Sequence, residues 1–393
     1  MILLESSKEK ININFMKNKN LRLSKSVIGQ EEANEVTRIL LEDGYLGMGA
    51  EVGKFEKEIA NYLGVDPNNV VCVNTGTSAL HLVVESLILP GEEVLVPSFT
   101  FLSSYQAISA ARAIPVSCEI YEDTLTIDVE DASRKITSKT KAIMPVHYAS
   151  NPACLQKIYD FANQYNLRVI EDAAHAFGCS YKSNKIGSFG DVVCFSFDGI
   201  KNITSGEGGA IVTSDQKLLS IVKDGRLLSI EKDSDKRYNG QRSWDFDSKR
   251  QGYRYHMSNI FAAIGRVQLR RLDSEFAPKR KLLLTKYQEF LSSNGEIVLQ
   301  TQDPDAEIVP HIFSLRILNN KRNGLREVLE KSNVPTGIHY KPNHMLSFYG
   351  AGEMKLPVTE KIYLEILTLP LHPEIEVSDV EEICKLITNY LNN

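Results

Sequence analysis

At 393 residues the chain is long enough for two domains, or for one large domain with a smaller companion. Its 42% hydrophobic and 24% charged residues are ordinary for a globular protein, and a formal net charge of −5 offers no basic face for nucleic acid. The start, Met1-Ile2-Leu3-Leu4 running into Glu5, lacks the basic and apolar stretches of a secretory signal, and no run approaches the roughly 18 apolar residues of a membrane span. Cys72, Cys118, Cys154, Cys179, Cys194 and Cys384 are scattered with no C-x-x-C pair. They read as reduced thiols of a cytoplasmic protein, with no disulfide or metal role.

Residues 1–20 are polar and expected to be loosely held, and 1–24 read as an N-terminal extension. Helical spacing from Ile28 to Leu41 ends at Gly44. A second helix, Val52 to Leu63, places Phe55, Ile59 and Leu63 on one side before Gly64 and Pro67 close it. Then the texture changes. Short apolar runs at Val70–Val73, Val94–Val96, Ala142–Val146 and Arg168–Ile170 alternate with helices, among them Ala79–Leu87 and Cys154–Tyr165. That alternation predicts a mostly parallel sheet covered on both faces, a three-layer α/β/α domain over 25–270. A long helix is expected from Ser258 to Leu272. After Pro278 a smaller α+β domain, 271–393, holds a half-exposed strand at Phe313–Ile317. A closing helix, Val380–Tyr390, would be capped by Ser378 or Asp379.

Four segments fall at strand ends, where open α/β sheets bind ligands. Asn74-Thr75-Gly76-Thr77-Ser78 offers backbone N–H groups and hydroxyls at a helix start, a phosphate cradle. An ordinary cap by Thr75 or Thr77 explains it equally well. Pro97-Ser98-Phe99-Thr100-Phe101 presents an aromatic that can stack on a planar ring, although Phe99 or Phe101 fits a simple core too. In Glu171-Asp172-Ala173-Ala174-His175, a carboxylate suited to a protonated ring nitrogen is followed by small residues that leave room for a flat ligand. There Asp172 also fits a helix cap and His175 a core histidine. Finally, Lys201 lies in a turn between Ser196 and Gly209, with glycines at 199, 206, 208 and 209. A solvated lysine does not need them, whereas a lysine that swings between a cofactor aldehyde and a proton-transfer position does. Together these parts are what pyridoxal 5'-phosphate requires.

The order and spacing resemble the DegT/StrS-type sugar-nucleotide aminotransferases, pyridoxal-phosphate enzymes of fold type I. The likeness runs from Gly44-Tyr45-Leu46-Gly47 to Leu367-Thr368-Leu369-Pro370-Leu371 and includes Gly252-Tyr253-Arg254-Tyr255-His256-Met257. It implies that Lys201 carries the cofactor and moves the proton, and that Asp172 holds the pyridine nitrogen protonated. It further implies that Phe101 stacks on the ring, that His175 faces the ring hydroxyl where relatives usually have Gln, and that Gly76, Thr77, Ser78 and Ser196 bind the phosphate. Arg254 or His256 would reach the cofactor phosphate of a neighbour in a homodimer. Tyr45, Tyr340 and His344 would line the pocket of a nucleotide-linked keto sugar, aminated at the expense of L-glutamate. The Gly-Glu-Gly-Gly turn resembles members acting at C4 of a 4-keto-6-deoxyhexose more than those acting at C3. The related 3-dehydratases replace the lysine with histidine, and a non-catalytic regulator would not need Lys201 and Asp172. Four positions depart from the family: Asp198-Gly199 stands where relatives often have His-Pro, His175 replaces Gln, and Ser150 replaces Gly.

Overall fold

The computed structural model describes residues 21–152, 154–350 and 353–392, so the expectation for residues 1–20 lies outside the described residues. Seven strands form the main sheet: β1 (Val70–Val73), β2 (Glu93–Pro97), β3 (Ile114–Cys118), β4 (Thr140–Ile143), β5 (Arg168–Asp172), β6 (Val192–Ser196) and β7 (Gly209–Thr213). Their spatial order is β1-β7-β6-β5-β4-β2-β3. Only β7 runs against its neighbours, so the expected mostly parallel sheet is present.

Burial on both faces explains the continuous apolar runs. Alternate residues of one strand enter different cores: Val70 and Cys72 pack under the Ala50–Leu63 helix, whereas Val71 and Val73 pack with the Gly76–Leu87 helix. Sequence periodicity missed β3, whose Pro115 and Ser117 interrupt the apolar pattern. It is an edge strand, where a missing N–H donor is tolerated.

The first helix is shorter than its periodicity suggests. It spans Gln30–Arg38 and continues as a wider turn, Ile39–Asp43, that closes on Gly44 at φ +61°. Ser258 caps the Asn259–Arg271 helix by accepting a hydrogen bond from Phe261 N. Pro278 does not end that helical run. It sits in the first turn of a further helix, Ala277–Leu291, where it removes no intrahelical hydrogen bond.

The C-terminal region carries an antiparallel sheet of β8 (Ile297–Leu299), β9 (Phe313–Ile317) and β10 (Ile366–Leu369), in that order. The half-exposed reading of Phe313–Ile317 is corrected: all five residues are buried. One face packs on the helices Ala277–Leu291 and Val377–Leu391. On the other, the buried Arg316 is held by Glu122 and Glu365, each at 2.7 Å. The closing helix spans Val377–Leu391, and its N-cap is Glu376. Asp379 is the third helical residue and accepts from Glu376 N at 3.1 Å, a reciprocal capping box that displaces the single-residue caps expected at Ser378 or Asp379. Five of the six cysteines are buried, Cys154 is half-buried, and all six are free thiols. No helix among the described residues is long and apolar enough to cross a membrane.

Candidate active site

The C-terminal ends of β1, β2, β5 and β6 converge on one cavity of about 290 Å³, whose walls include Gly76, Thr77, Phe101, Asp172, His175, Ser196 and Lys201. The parallel sheet causes this convergence, because it delivers every βα turn to the same edge.

The Gly76–Leu87 helix opens beneath the cavity floor. Thr75 is its N-cap and accepts from Ser78 N at 3.0 Å, so the capping role belongs to Thr75 rather than Thr77. A Cβ on Gly76 would stand 2.8 Å from Ser196 Cβ, and one on Gly209 would stand 2.5 Å from Thr75 O. Only glycine lets the two turns approach this closely. Thr77 keeps its hydroxyl on the cavity side, bonded to Ser103 Oγ at 2.9 Å. Ser78 does not line the cavity. Its hydroxyl donates to Asn74 Oδ1 at 2.7 Å and lies 2.8 Å from Thr75 Oγ1, satisfied within the cap.

Asp172 ends β5 and is 6% exposed. Its carboxylate accepts from Ser104 Oγ at 2.7 Å and from Ala174 N at 3.2 Å. Burial pushes this carboxyl above the ordinary Asp range, against those hydrogen bonds and the nearby Lys201. Burial pushes the Lys201 amine the other way, below its usual value, while Asp198 and Asp172 hold it up. The lysine backbone is fixed on several sides. Lys201 N donates to Asp198 O at 3.0 Å, and its carbonyl accepts from the fully buried Arg280 at 3.4 Å. The next side chain, Asn202, donates to Phe177 O at 3.0 Å and Val309 O at 2.9 Å.

The two aromatic candidates part company. Phe99 is fully buried against Tyr148, with ring centroids 5.1 Å apart. Phe101 faces the cavity with more than half its surface free, its ring 5.5 Å from Tyr340. His175 Nε2 lies 3.1 Å from Tyr340 Oη, and its ring is 4.4 Å from that of His311. Burial, and next the charge of Lys201, depress its basicity well below the usual histidine value, so the ring is neutral near pH 7. Ser150, at a left-handed φ of +72°, ties the two histidine segments together. Its hydroxyl donates to His175 O and accepts from His311 N at 2.9 Å, a link that glycine would lack.

Several expected residues are elsewhere. His344 is corrected as a pocket residue: it is 1% exposed, with Nδ1 2.7 Å from Ser98 Oγ and Nε2 3.3 Å from Glu360. Tyr45 is half-buried outside the cavity, with its carbonyl accepting from Asn259 at 2.9 Å. The exposed Arg254 and half-buried His256 also lie outside the cavity, on a segment bridged to Leu227 and Val73. Conversely, Thr100, Ser103, Asp198, Glu207 and His339 line the cavity without having been singled out for it. The departure at Asp198 and the Glu207 of the glycine turn were visible signals. His339 had none, since its approach depends on the packing of the C-terminal region.

The profile of the DegT/DnrJ/EryC1/StrS aminotransferase family matches residues 26–388. The chain is 33% identical over 381 residues to the spore coat polysaccharide biosynthesis protein SpsC of Bacillus subtilis, covering 94% of this chain and 97% of SpsC. It is 32% identical over 369 residues to the dTDP-4-dehydro-2,3,6-trideoxy-D-glucose 4-aminotransferase of Saccharopolyspora spinosa, covering 92% and 94% of the two chains. The PLP-form structure of Spr1654 from Streptococcus pneumoniae superposes with a TM-score of 0.86 at 26% identity, over 95% of this chain and 99% of that one. The chain therefore belongs to the DegT/DnrJ/EryC1/StrS aminotransferase family, and it is an aminotransferase.

Proposed function

We propose that the protein transfers an amino group from L-glutamate to a nucleotide-linked keto sugar, a 4-keto-6-deoxyhexose, using pyridoxal 5'-phosphate held on Lys201. The observation that carries this reading is a buried amine and a buried carboxylate on the walls of one cavity of about 290 Å³, beside a glycine cradle too tight for any side chain. The residues fit the group. Asp172 is a desolvated carboxylate in want of a counter-charge, which a protonated pyridine nitrogen provides. Gly76, Thr77 and Ser196 would hold the phosphate at the start of the Gly76–Leu87 helix, where N–H groups and the helix dipole favour an anion. Phe101 would cover one ring face, and His175, which meets Tyr340, would face the ring hydroxyl.

When bound, the cofactor supplies an aldehyde and an electron-accepting ring. The chain supplies the proton transfers. The lowered basicity of Lys201 leaves more of its amine neutral and able to take a proton from the donor carbon, and the same Nζ returns one to the acceptor carbon. The buried Asp172 carboxylate gains from a positive partner, so it favours the protonated ring. Glutamate leaves as 2-oxoglutarate, and the keto oxygen of the sugar leaves as water.

The relative from Saccharopolyspora spinosa is named for amination at position 4 of a dTDP sugar, which supports the sugar class and the C4 assignment. Arg254 or His256, both outside the cavity of their own chain, would reach the cofactor phosphate of a second copy in a homodimer. The test is a panel of UDP-, dTDP-, GDP- and CDP-linked 3-keto and 4-keto sugars with glutamate, read by mass spectrometry of the product. Amination of a 4-keto-6-deoxyhexose is expected, and a panel with no aminated product overturns the reading.

A further inference from the structure

Behind the lysine lies a second, enclosed chamber of about 30 Å³. Lys201, His339 and Tyr340 line both this chamber and the main cavity, so the lysine stands in the partition between them. The far wall includes His311, Thr368 and, from the N-terminal segment, Ser24. That volume accommodates about one water molecule where polar groups can meet it. His311 is 3% exposed, and its Nδ1 is buried without a protein partner. The Lys201 amine and the Ser24 hydroxyl belong to other lining residues, whereas His339 Nδ1 is already bonded to Thr368 Oγ1 at 2.9 Å. Apart from the partition, to which Ile200 also belongs, the half-buried lining residues are Leu23 and Ser24, which makes them the side nearest solvent. Their segment is fastened by Leu371 N donating to Leu23 O at 3.1 Å and by the Ser26 hydroxyl donating to Gly199 O.

We infer that this chamber holds a water molecule bonded to His311 Nδ1, through which the Lys201 amine exchanges its transferred proton with solvent past Ser24. The inference rests on the proposed role of Lys201. The exchange is hydrogen for hydrogen: Nζ releases the proton taken from the donor carbon and receives one from the water, and no electrons move. Lysine thereby has a proton route that a large substrate filling the main cavity does not block.

Holoenzyme mixed once with α-deuterated glutamate in H2O reports, by mass spectrometry of the released cofactor, how much of the deuterium taken by Lys201 is carried over to the cofactor while the donor still fills the main cavity. The wild type is expected to carry over little, because the chamber water exchanges it. Ser24→Leu, which fills the chamber from a half-buried loop position, and His311→Phe, which removes the unpartnered nitrogen, are each expected to raise that carry-over by about threefold or more. An unchanged carry-over in a folded Ser24→Leu protein overturns the inference. A crystal structure with the cofactor reduced onto Lys201 reads the chamber independently of the donor: water density supports the inference and an empty chamber overturns it. Failure of glutamate to exchange amino groups at all refutes the donor assignment, and the crystal structure still decides the chamber.

Discussion

The two sides of the cavity are built differently. On one side, Gly76, Asp172, Ser196 and Lys201 sit within a few residues of a strand end, and each owes its place to the sheet beneath it. On the other, His339 and Tyr340 come from a segment held through Gly337 and Thr368, whose backbones exchange hydrogen bonds of 3.0 and 2.8 Å. Tyr340 reaches His175 across 165 residues of sequence. The strand-end side is local and rigid, and it carries the groups suited to a common cofactor. The far side depends on long-range packing. Position follows from secondary structure on the first side and from domain docking on the second.

The comparison breaks most visibly at Lys201. Lys201→Ala is expected to lower amino transfer by about a thousandfold or more and to abolish the absorbance of lysine-bound cofactor. Full activity in that variant would end the whole assignment. Asp172→Asn follows, with an expected loss of about a hundredfold in turnover. It has a second, opposite signature. Burial raises the folded-state pKa of Asp172, so the stability linked to its protonation is fully present below the unfolded carboxyl value and is lost as pH rises from there through the folded-state value. At neutral pH the cofactor-free Asn variant should therefore be more stable than wild type, by roughly 1 kcal/mol, while gaining less from added cofactor. Thermal melts with and without cofactor, at acid and neutral pH, read both effects.

Gly76→Ala tests the cradle. The new Cβ would crowd Ser196 at 2.8 Å, and cofactor affinity should fall about tenfold, near 1.4 kcal/mol, in a fluorescence titration. Unchanged affinity would show that the two turns separate easily. On the far side the expected effects are smaller. Tyr340→Phe removes only the hydroxyl that meets His175, and it should change kcat/KM for the sugar by less than about tenfold while leaving cofactor affinity near wild type. His344→Ala should cost about 1–3 kcal/mol of stability through its lost bonds to Ser98 and Glu360, with a smaller effect on sugar kinetics than Tyr340→Phe. A kinetic effect larger than that of Tyr340→Phe would place His344 nearer the substrate than the geometry does.

The strand-end side was the more legible one. Runs such as Val70–Val73 announce strands buried on both faces, and the turns that follow announce a ligand by their glycine, hydroxyl and charged residues. Legibility failed where a residue's type allowed more than one partner or place. Ser78 reads as a phosphate donor until the cap formed by Asn74 and Thr75 claims its hydroxyl. Arg316 reads as the exposed face of a strand until the remote Glu122 and Glu365 bury it.

The amino-acid sequence by itself determined the layered α/β architecture, the order of its strand-end turns and the placement of Lys201 and Asp172 in two of those turns. Those features depend on periodicity and on residue types within a few positions of one another, which the linear chain displays directly. Only the tertiary structure decided that Phe101 rather than Phe99 faces the cavity, that His344 is buried elsewhere, and that Ser24 and His311 close a chamber behind the lysine. Such choices follow from how separate layers dock, and docking is set by shape and by polar groups finding partners far along the chain.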